Sequence, residues 1–189
     1  MENKALFFNE RAALPESKST EIIENLAIIE GNTILDIGSG GGYFDFLFAE
    51  KVGNNGKVIC VDNNKDLLDF IDKETTEKQI SNIETIHYDG ENFPFQENSI
   101  DLVFMRNVTH HIKGRTNYFH KLSKILKQNG KIAVIDYKKG KLFSIYGLGG
   151  HFVRRKNIIF EMKKAGFDIE KEYNFLQKQI FIIFKPLNN

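Results

Sequence analysis

The segment Asp36-Ile37-Gly38-Ser39-Gly40-Gly41-Gly42 holds most of the chemistry that can be read from this chain: a carboxylate followed by glycines at alternate positions. It follows the apolar run Thr33-Ile34-Leu35 and leads into Phe44, Leu47, Phe48 and Val52, spaced as on an amphipathic helix. The glycines therefore sit on a strand-to-helix turn, where the amides of a helix N-terminus face a ligand and the missing Cβ lets it approach the main chain. A loop built only for phosphates would gain nothing from Asp36. No Lys-Ser or Lys-Thr follows the glycines, which excludes a P-loop. The dinucleotide pattern Gly-x-Gly-x-x-Gly would need glycine where Tyr43 stands. Downstream, Lys57-Val58-Ile59-Cys60-Val61-Asp62 reads as a second strand ending in a carboxylate, twenty residues past Gly42. A doubly wound fold places its ribose-gripping group there, and a carboxylate would accept from both ribose hydroxyls and repel a 2′-phosphate.

A second group of residues sits at strand ends further along. Arg106-Asn107-Val108-Thr109-His110-His111 follows one predicted strand and Asp136-Tyr137-Lys138-Lys139 ends the next. Ligands of open α/β sheets bind outside the carboxyl ends of the strands. His111, and after it His110, are the candidates for taking a proton from a nucleophile, since histidine does so near neutral pH; packing of the loop is the competing role. No acidic or cysteine residues stand at metal-like spacing with them, so a metal site is not expected. Tyr137 and Asn107 are candidates to wall a substrate pocket. Lys138, Lys139, Lys141, Arg154, Arg155 and Lys156 put six cations around an aromatic, glycine-rich stretch at 142–152. Segment 140–156 is therefore expected to cover the acceptor pocket, with Arg154 meeting a carboxylate or phosphate through its fork. A solvated basic loop is the bland alternative.

These residues need a sheet to hold them. Candidate strands cover 33–38, 57–62, 83–88, 99–106, 130–137, about 167–176 and 180–184. Candidate helices cover 18–29, 43–52, 64–79, 114–127 and 156–165, the fourth stopped by Asn129-Gly130. Alternation of this kind means a parallel sheet with crossover helices. The last two strands are too close in sequence for a crossover, so they must be antiparallel. Residues 1–30 are expected to form an N-terminal cap and helix, with Phe7–Leu14 folding over the ligands.

Asp36 to Phe44 resembles motif I of the class I S-adenosylmethionine-dependent methyltransferases. The likeness continues through Val58–Asp62, through Tyr88-Asp89-Gly90-Glu91-Asn92-Phe93-Pro94-Phe95 and through Ser99–Phe104, and covers roughly 15–186. The branch most similar is the small-molecule type of ubiquinone and menaquinone biosynthesis. The resemblance implies a Rossmann-like, doubly wound α/β fold with a seven-stranded sheet, mostly parallel, whose strand seven lies antiparallel between strands five and six. It implies S-adenosylmethionine as cofactor. Asp36 and the Gly38, Ser39, Gly40 and Gly42 backbone would hold its methionine end, with the Arg106 carbonyl near the amino group. Asp62 would hold the ribose and Asn63 would lie beside the adenosine. Asp89, with Gly90 and Glu91, would receive the adenine. The loop after the fourth strand lacks the Asn/Asp-Pro-Pro-aromatic pattern of many amino-group methyltransferases acting on adenine, cytosine or glutamine, and no Pro-Cys nucleophile is present. The expected partner is a small-molecule acceptor and not a nucleic acid.

The remaining bounds are broad. At 189 residues one domain is expected, and a net charge of +1 argues against general nucleic-acid binding. The single cysteine, Cys60, lies in an apolar strand and fits a reducing, cytoplasmic setting. No run is long enough to span a bilayer. Oligomeric state and acceptor stay open. Two other classes share these features: a protein that binds the cofactor without transferring from it, and a nicotinamide-dependent oxidoreductase, against which Tyr43 and the terminal hairpin speak.

Overall fold

The computed structural model describes residues 2–88, 94–138 and 152–187. Its strands are β1 (Thr33–Ile37), β2 (Lys57–Asp62), β3 (Ile83–His87), β4 (Ile100–Arg106), β5 (Leu126–Tyr137), β6 (Phe167–Tyr173) and β7 (Gln179–Pro186). They form one seven-stranded sheet in the order β3-β2-β1-β4-β5-β7-β6. The helices are α1 (Glu2–Ala13), α2 (Ser19–Asn25), α3 (Tyr43–Val52), α4 (Lys65–Glu77), α5 (Arg115–Ile125) and α6 (Arg155–Lys164). By its contacts the chain divides into residues 1–94 and 95–189.

In the first unit β2 runs parallel to both β1 and β3, with Asp36 opposite Cys60 and Asp62 opposite His87. Val58 to Val61 are all buried, the continuous apolar run of a parallel strand covered on both faces. Helix α3 turns Phe44, Phe48 and Val52 inward and α4 contributes Leu67, Leu68 and Ile71. Each such side chain stabilises the fold by about 1.5–3 kcal/mol. The Asn82 amide donates to the Ala49 and Gly53 carbonyls, both at 2.9 Å, and closes the C-terminal end of α3. Asn64 caps α4 by accepting from the Asp66 amide.

In the second unit β4 and β5 are parallel, and β7 pairs antiparallel with β5 on one side and β6 on the other. Ile180–Phe184 of β7 are buried on both faces, while the edge strand β6 carries exposed Glu170 and Lys171, charges that discourage further pairing. The bidentate pair of Arg115 with Glu161, at 2.6 and 2.9 Å, ties α5 to α6.

Several elements differ from expectation. The helix expected over 114–127 ends at Ile125, where Leu126 turns extended and pairs with Ile100. Asn129-Gly130 is thus no helix stop but lies within β5, beside an irregularity between Ile100 and Leu102. Helix 18–29 shortens to Ser19–Asn25, and Ala27 follows at φ +51°. Residues 2–13 form a helix that the sequence pattern did not reveal. Among the described residues no helix is long and apolar enough to cross a membrane.

Candidate functional site

The glycine loop is held from β2. The Gly38 and Ser39 amides both donate to the Val61 carbonyl, at 2.7 and 3.1 Å. The Ser39 hydroxyl also lies against main chain, 3.1 Å from the Asp36 carbonyl and 3.2 Å from that of Val61, so its side chain shapes the turn. Gly42 stands at the N-cap of α3 with φ +85°, and a Cβ there would come within 2.9 Å of Ile71. Glycine alone meets both conditions without strain.

Asp62 braces the same loop. Its Oδ2 accepts from the Gly40 amide at 3.1 Å and its Oδ1 from the Asn64 amide at 2.9 Å. A carboxylate has about four acceptor positions, so this one still has room for two ribose hydroxyls. Asn63 follows, its carbonyl 3.1 Å from His87 Nε2. Asp36 is only 3% exposed. Asp89, Gly90 and Glu91 lie outside the described residues, as does most of the segment 140–156.

Below the loop the structure adds a group that the sequence reading passed over. Asp45, in the first turn of α3, is wholly buried beside the Cys60 thiol and the Asp36 carboxyl. Burial pushes its carboxyl up to about 7, against the opposing influence of the nearby Cys60 thiol and Asp36, with Asp62 adding to the rise. The Cys60 thiol is itself pushed well above its usual value by burial and then by Asp45, so Cys60 is an inert strand residue, as its sequence context implies. Because the folded-state value of Asp45 exceeds the unfolded 3.8, its contribution to stability is complete below that pH and lost as pH rises through about 7. Asp45→Asn should therefore flatten the pH dependence of the melting temperature between pH 4 and 8. At pH 8 it should melt above the wild type by roughly 2–4 °C per kcal/mol recovered. Scanning calorimetry across that range checks it, and a variant that melts lower at pH 8 contradicts it.

In the second unit the organising group is Asp136, at the end of β5 and fully buried. Its Oδ1 accepts from His110 Nδ1 and from the Tyr137 amide, both at 2.8 Å. Its Oδ2 accepts from the Thr109 hydroxyl and, at 3.2 Å, from the His110 amide. Four donors on one carboxylate use its whole accepting capacity and offset the cost of burying the charge. This network assigns the proton of a neutral His110 to Nδ1, leaving the ring's lone pair on Nε2. The His110 side chain is 5% exposed, whereas His111 is exposed. Asp136 stands at an expected strand end, but its role toward His110 and Thr109 was hidden because these partners lie 26 and 27 residues away.

The other residues named from the sequence are placed as follows. Arg106 ends β4. Asn107 follows at φ +57°, a conformation asparagine tolerates, with its amide oxygen accepting from Gln179 at 2.6 Å. The Tyr137 carbonyl accepts from the Val153 amide. Arg154 is exposed at the N-terminal boundary of α6. Arg155 forms a bidentate pair with Glu172, at 2.6 and 2.5 Å, and Lys138 donates to the Leu176 carbonyl at 3.1 Å. Lys139 and Lys141 lie outside the described residues, and of the four described cations Lys138 and Arg155 are engaged within the protein. Among the described residues no His, Cys, Asp and Glu cluster could hold a metal.

Comparison with known proteins agrees with this architecture. The chain is 26% identical over 165 residues to a ubiquinone/menaquinone biosynthesis C-methyltransferase of Hydrogenovibrio crunogenus, covering 84% of this chain and 62% of the relative. It is 24% identical over 158 residues to a demethylmenaquinone methyltransferase of Oceanobacillus iheyensis, covering 84% and 66%. It thus spans just under two thirds of these relatives' length. A crystal structure of an S-adenosylmethionine-dependent methyltransferase from Aquifex aeolicus has the same fold, with a TM-score of 0.82 at 18% identity over 93% of this chain and 95% of that one. The family model of the methyltransferase domain matches residues 28–179, across both units. The chain belongs to the methyltransferase domain family.

Proposed function

We propose that the protein transfers a methyl group from S-adenosylmethionine to a small-molecule acceptor, with His110 as the proton acceptor. Family membership carries the transfer chemistry, and the Asp136–His110 bond, at 2.8 Å, supports the proton-accepting role. Bound S-adenosylmethionine supplies a sulfonium methyl carbon open to in-line displacement and leaves as a neutral thioether. Asp36 and the Gly38–Gly42 backbone hold the methionine end, Asp62 the ribose and Asn63 the adenosine side, with Asp89, Gly90 and Glu91 receiving adenine and the Arg106 carbonyl facing the amino group.

Positioning provides most of the rate, up to about 7–11 kcal/mol. As the acceptor atom bonds to the methyl carbon, its proton passes to His110 Nε2 and thence to solvent. Asp136 keeps the ring in the required tautomer and offsets the imidazolium charge. A base of this kind suits an acceptor whose attacking atom carries a removable proton: a hydroxyl, a thiol or an activated ring carbon. The names of the two relatives, both tied to quinone biosynthesis, support a small molecule. Asn107, Tyr137 and Arg154 are assigned to the acceptor side, and a single catalytic domain with residues 140–156 covering the acceptor remains our reading.

Incubation of the protein with methyl-labelled S-adenosylmethionine and a metabolite extract tests the proposal. A labelled small molecule, identified by mass, is expected. Label confined to nucleic acid, or tight cofactor binding with no labelled product from any extract, would overturn it; the latter would favour a protein that binds without transfer.

A further inference from the structure

We infer that Asn9 is a positioning residue of the cofactor loop, and that docking of α1 through its carboxamide gives the loop its binding shape. The inference rests on the reading of residues 36–62 as a cofactor site. Helix α3 needs it because Gly42, at the N-cap, has no side chain to accept from the first-turn amides. Asn9 supplies that acceptor from another helix, its Oδ1 taking the Tyr43 amide at 3.2 Å. Its Nδ2 donates to the Gly41 carbonyl at 2.8 Å. The two bonds fall on either side of Gly42 and hold the main chain where φ is +85°.

The glycines report how close α1 lies. A Cβ on Gly41 would stand 2.4 Å from both the Ala5 carbonyl and Asn9 Oδ1, and one on Gly40 would stand 3.3 Å from the Phe8 ring. Gly41 is thus glycine because the backbone of α1 passes over it, a constraint distinct from the turn itself. Yet α1 buries little apolar surface: Ala5 is its one buried residue, while Leu6, Phe7 and Phe8 are 46%, 50% and 38% exposed. Its attachment depends on polar contacts. These include the Asn9 bonds, the Glu2–Lys73 pair at 2.7 Å, and the Ser17 and Ser19 hydroxyls on the Arg11 and Ala12 carbonyls, both at 2.6 Å. A helix so attached can undock locally while the rest of the unit stays folded, and the loop then loses its brace. Cofactor and docked α1 must therefore favour one another, by linkage.

The test compares wild type with Asn9→Ala, Asn9→Asp and Gly41→Ala by S-adenosylhomocysteine titration, limited proteolysis of α1, and hydrogen exchange at the Tyr43 amide. With two hydrogen bonds removed, Asn9→Ala should weaken binding by roughly tenfold or more. It should also speed exchange at Tyr43 and expose α1 to protease even without ligand. Asn9→Asp keeps the acceptor for Tyr43 and should recover part of the affinity, and it serves if the alanine variant fails to fold. Gly41→Ala should reproduce the loss, and adding Asn9→Ala to it should cost little more, since both remove the same contact. Unchanged affinity with α1 still protected in Asn9→Ala would overturn the inference, as would full additivity of the two substitutions. If the wild type bound no S-adenosylhomocysteine, the cofactor reading would fail, while proteolysis and exchange of the unliganded variants would still decide whether Asn9 holds the loop.

Discussion

Replacing His110 with alanine is expected to lower turnover by about 10²–10⁴-fold, the usual contribution of a positioned general base. Affinity for S-adenosylhomocysteine should be nearly unchanged. Asp136→Asn should follow it in kind. An asparagine at 136 offers one acceptor oxygen and an NH₂ group to a site where four donors converge. Either the NH₂ meets Thr109 and the His110 amide, leaving donors opposed, or it meets His110 Nδ1 and drives the ring to the other tautomer, with its lone pair turned from the acceptor. The buried network also contributes to stability, so rates must be referred to folded protein. His111→Ala is the control: His111 is exposed, and its removal should leave turnover within a few-fold of wild type. Steady-state kinetics of the three variants, with the pH dependence of kcat/KM, decide the matter. Loss in His111→Ala together with full activity in His110→Ala would transfer the role to His111.

The second large effect concerns Asp62. Asp62→Ala should weaken S-adenosylhomocysteine binding by a few kcal/mol, since hydrogen bonds to a charged group contribute about 1.5–3 kcal/mol each. Two losses combine: the ribose acceptor, and the brace on Gly40 and Asn64 at 3.1 and 2.9 Å. The fold should survive, because Asp62 sits half-buried at the end of β2 and fills no space in the core. Asp62→Asn keeps one acceptor oxygen and should fall between the two. Calorimetric titration and melting curves of both variants measure this, and wild-type affinity in a stable Asp62→Ala protein would remove Asp62 from the site.

What could be read from the sequence was whatever lies close together along it. Asp36, the glycines and Asp62 fall on two successive strand ends, so spacing alone placed them, and the apolar run Val58–Val61 identified the second strand. The antiparallel β6–β7 pair followed from a connection too short for a crossover. The partners that complete the arrangement were hidden by distance. Asn9 meets Gly41 and Tyr43 over 32 and 34 residues, and Asp136 meets His110 over 26; both depend on packing or register, to which local pattern is blind. Helix α1 escaped because Leu6, Phe7 and Phe8 are consecutive and largely exposed, which blurs the helical period. The end of α5 was misplaced because Asn129-Gly130 is a good helix stop, yet pairing of Leu126 with Ile100 outweighs local preference there.

Titration of the wild-type protein with S-adenosylhomocysteine, beside NAD in the same buffer, goes most directly to the claim that residues 36–62 form an S-adenosylmethionine site. Single-site binding of S-adenosylhomocysteine, weakened in Asp62→Ala, with no heat from NAD, is the expected result. Binding of NAD in place of S-adenosylhomocysteine, or of neither, would contradict it.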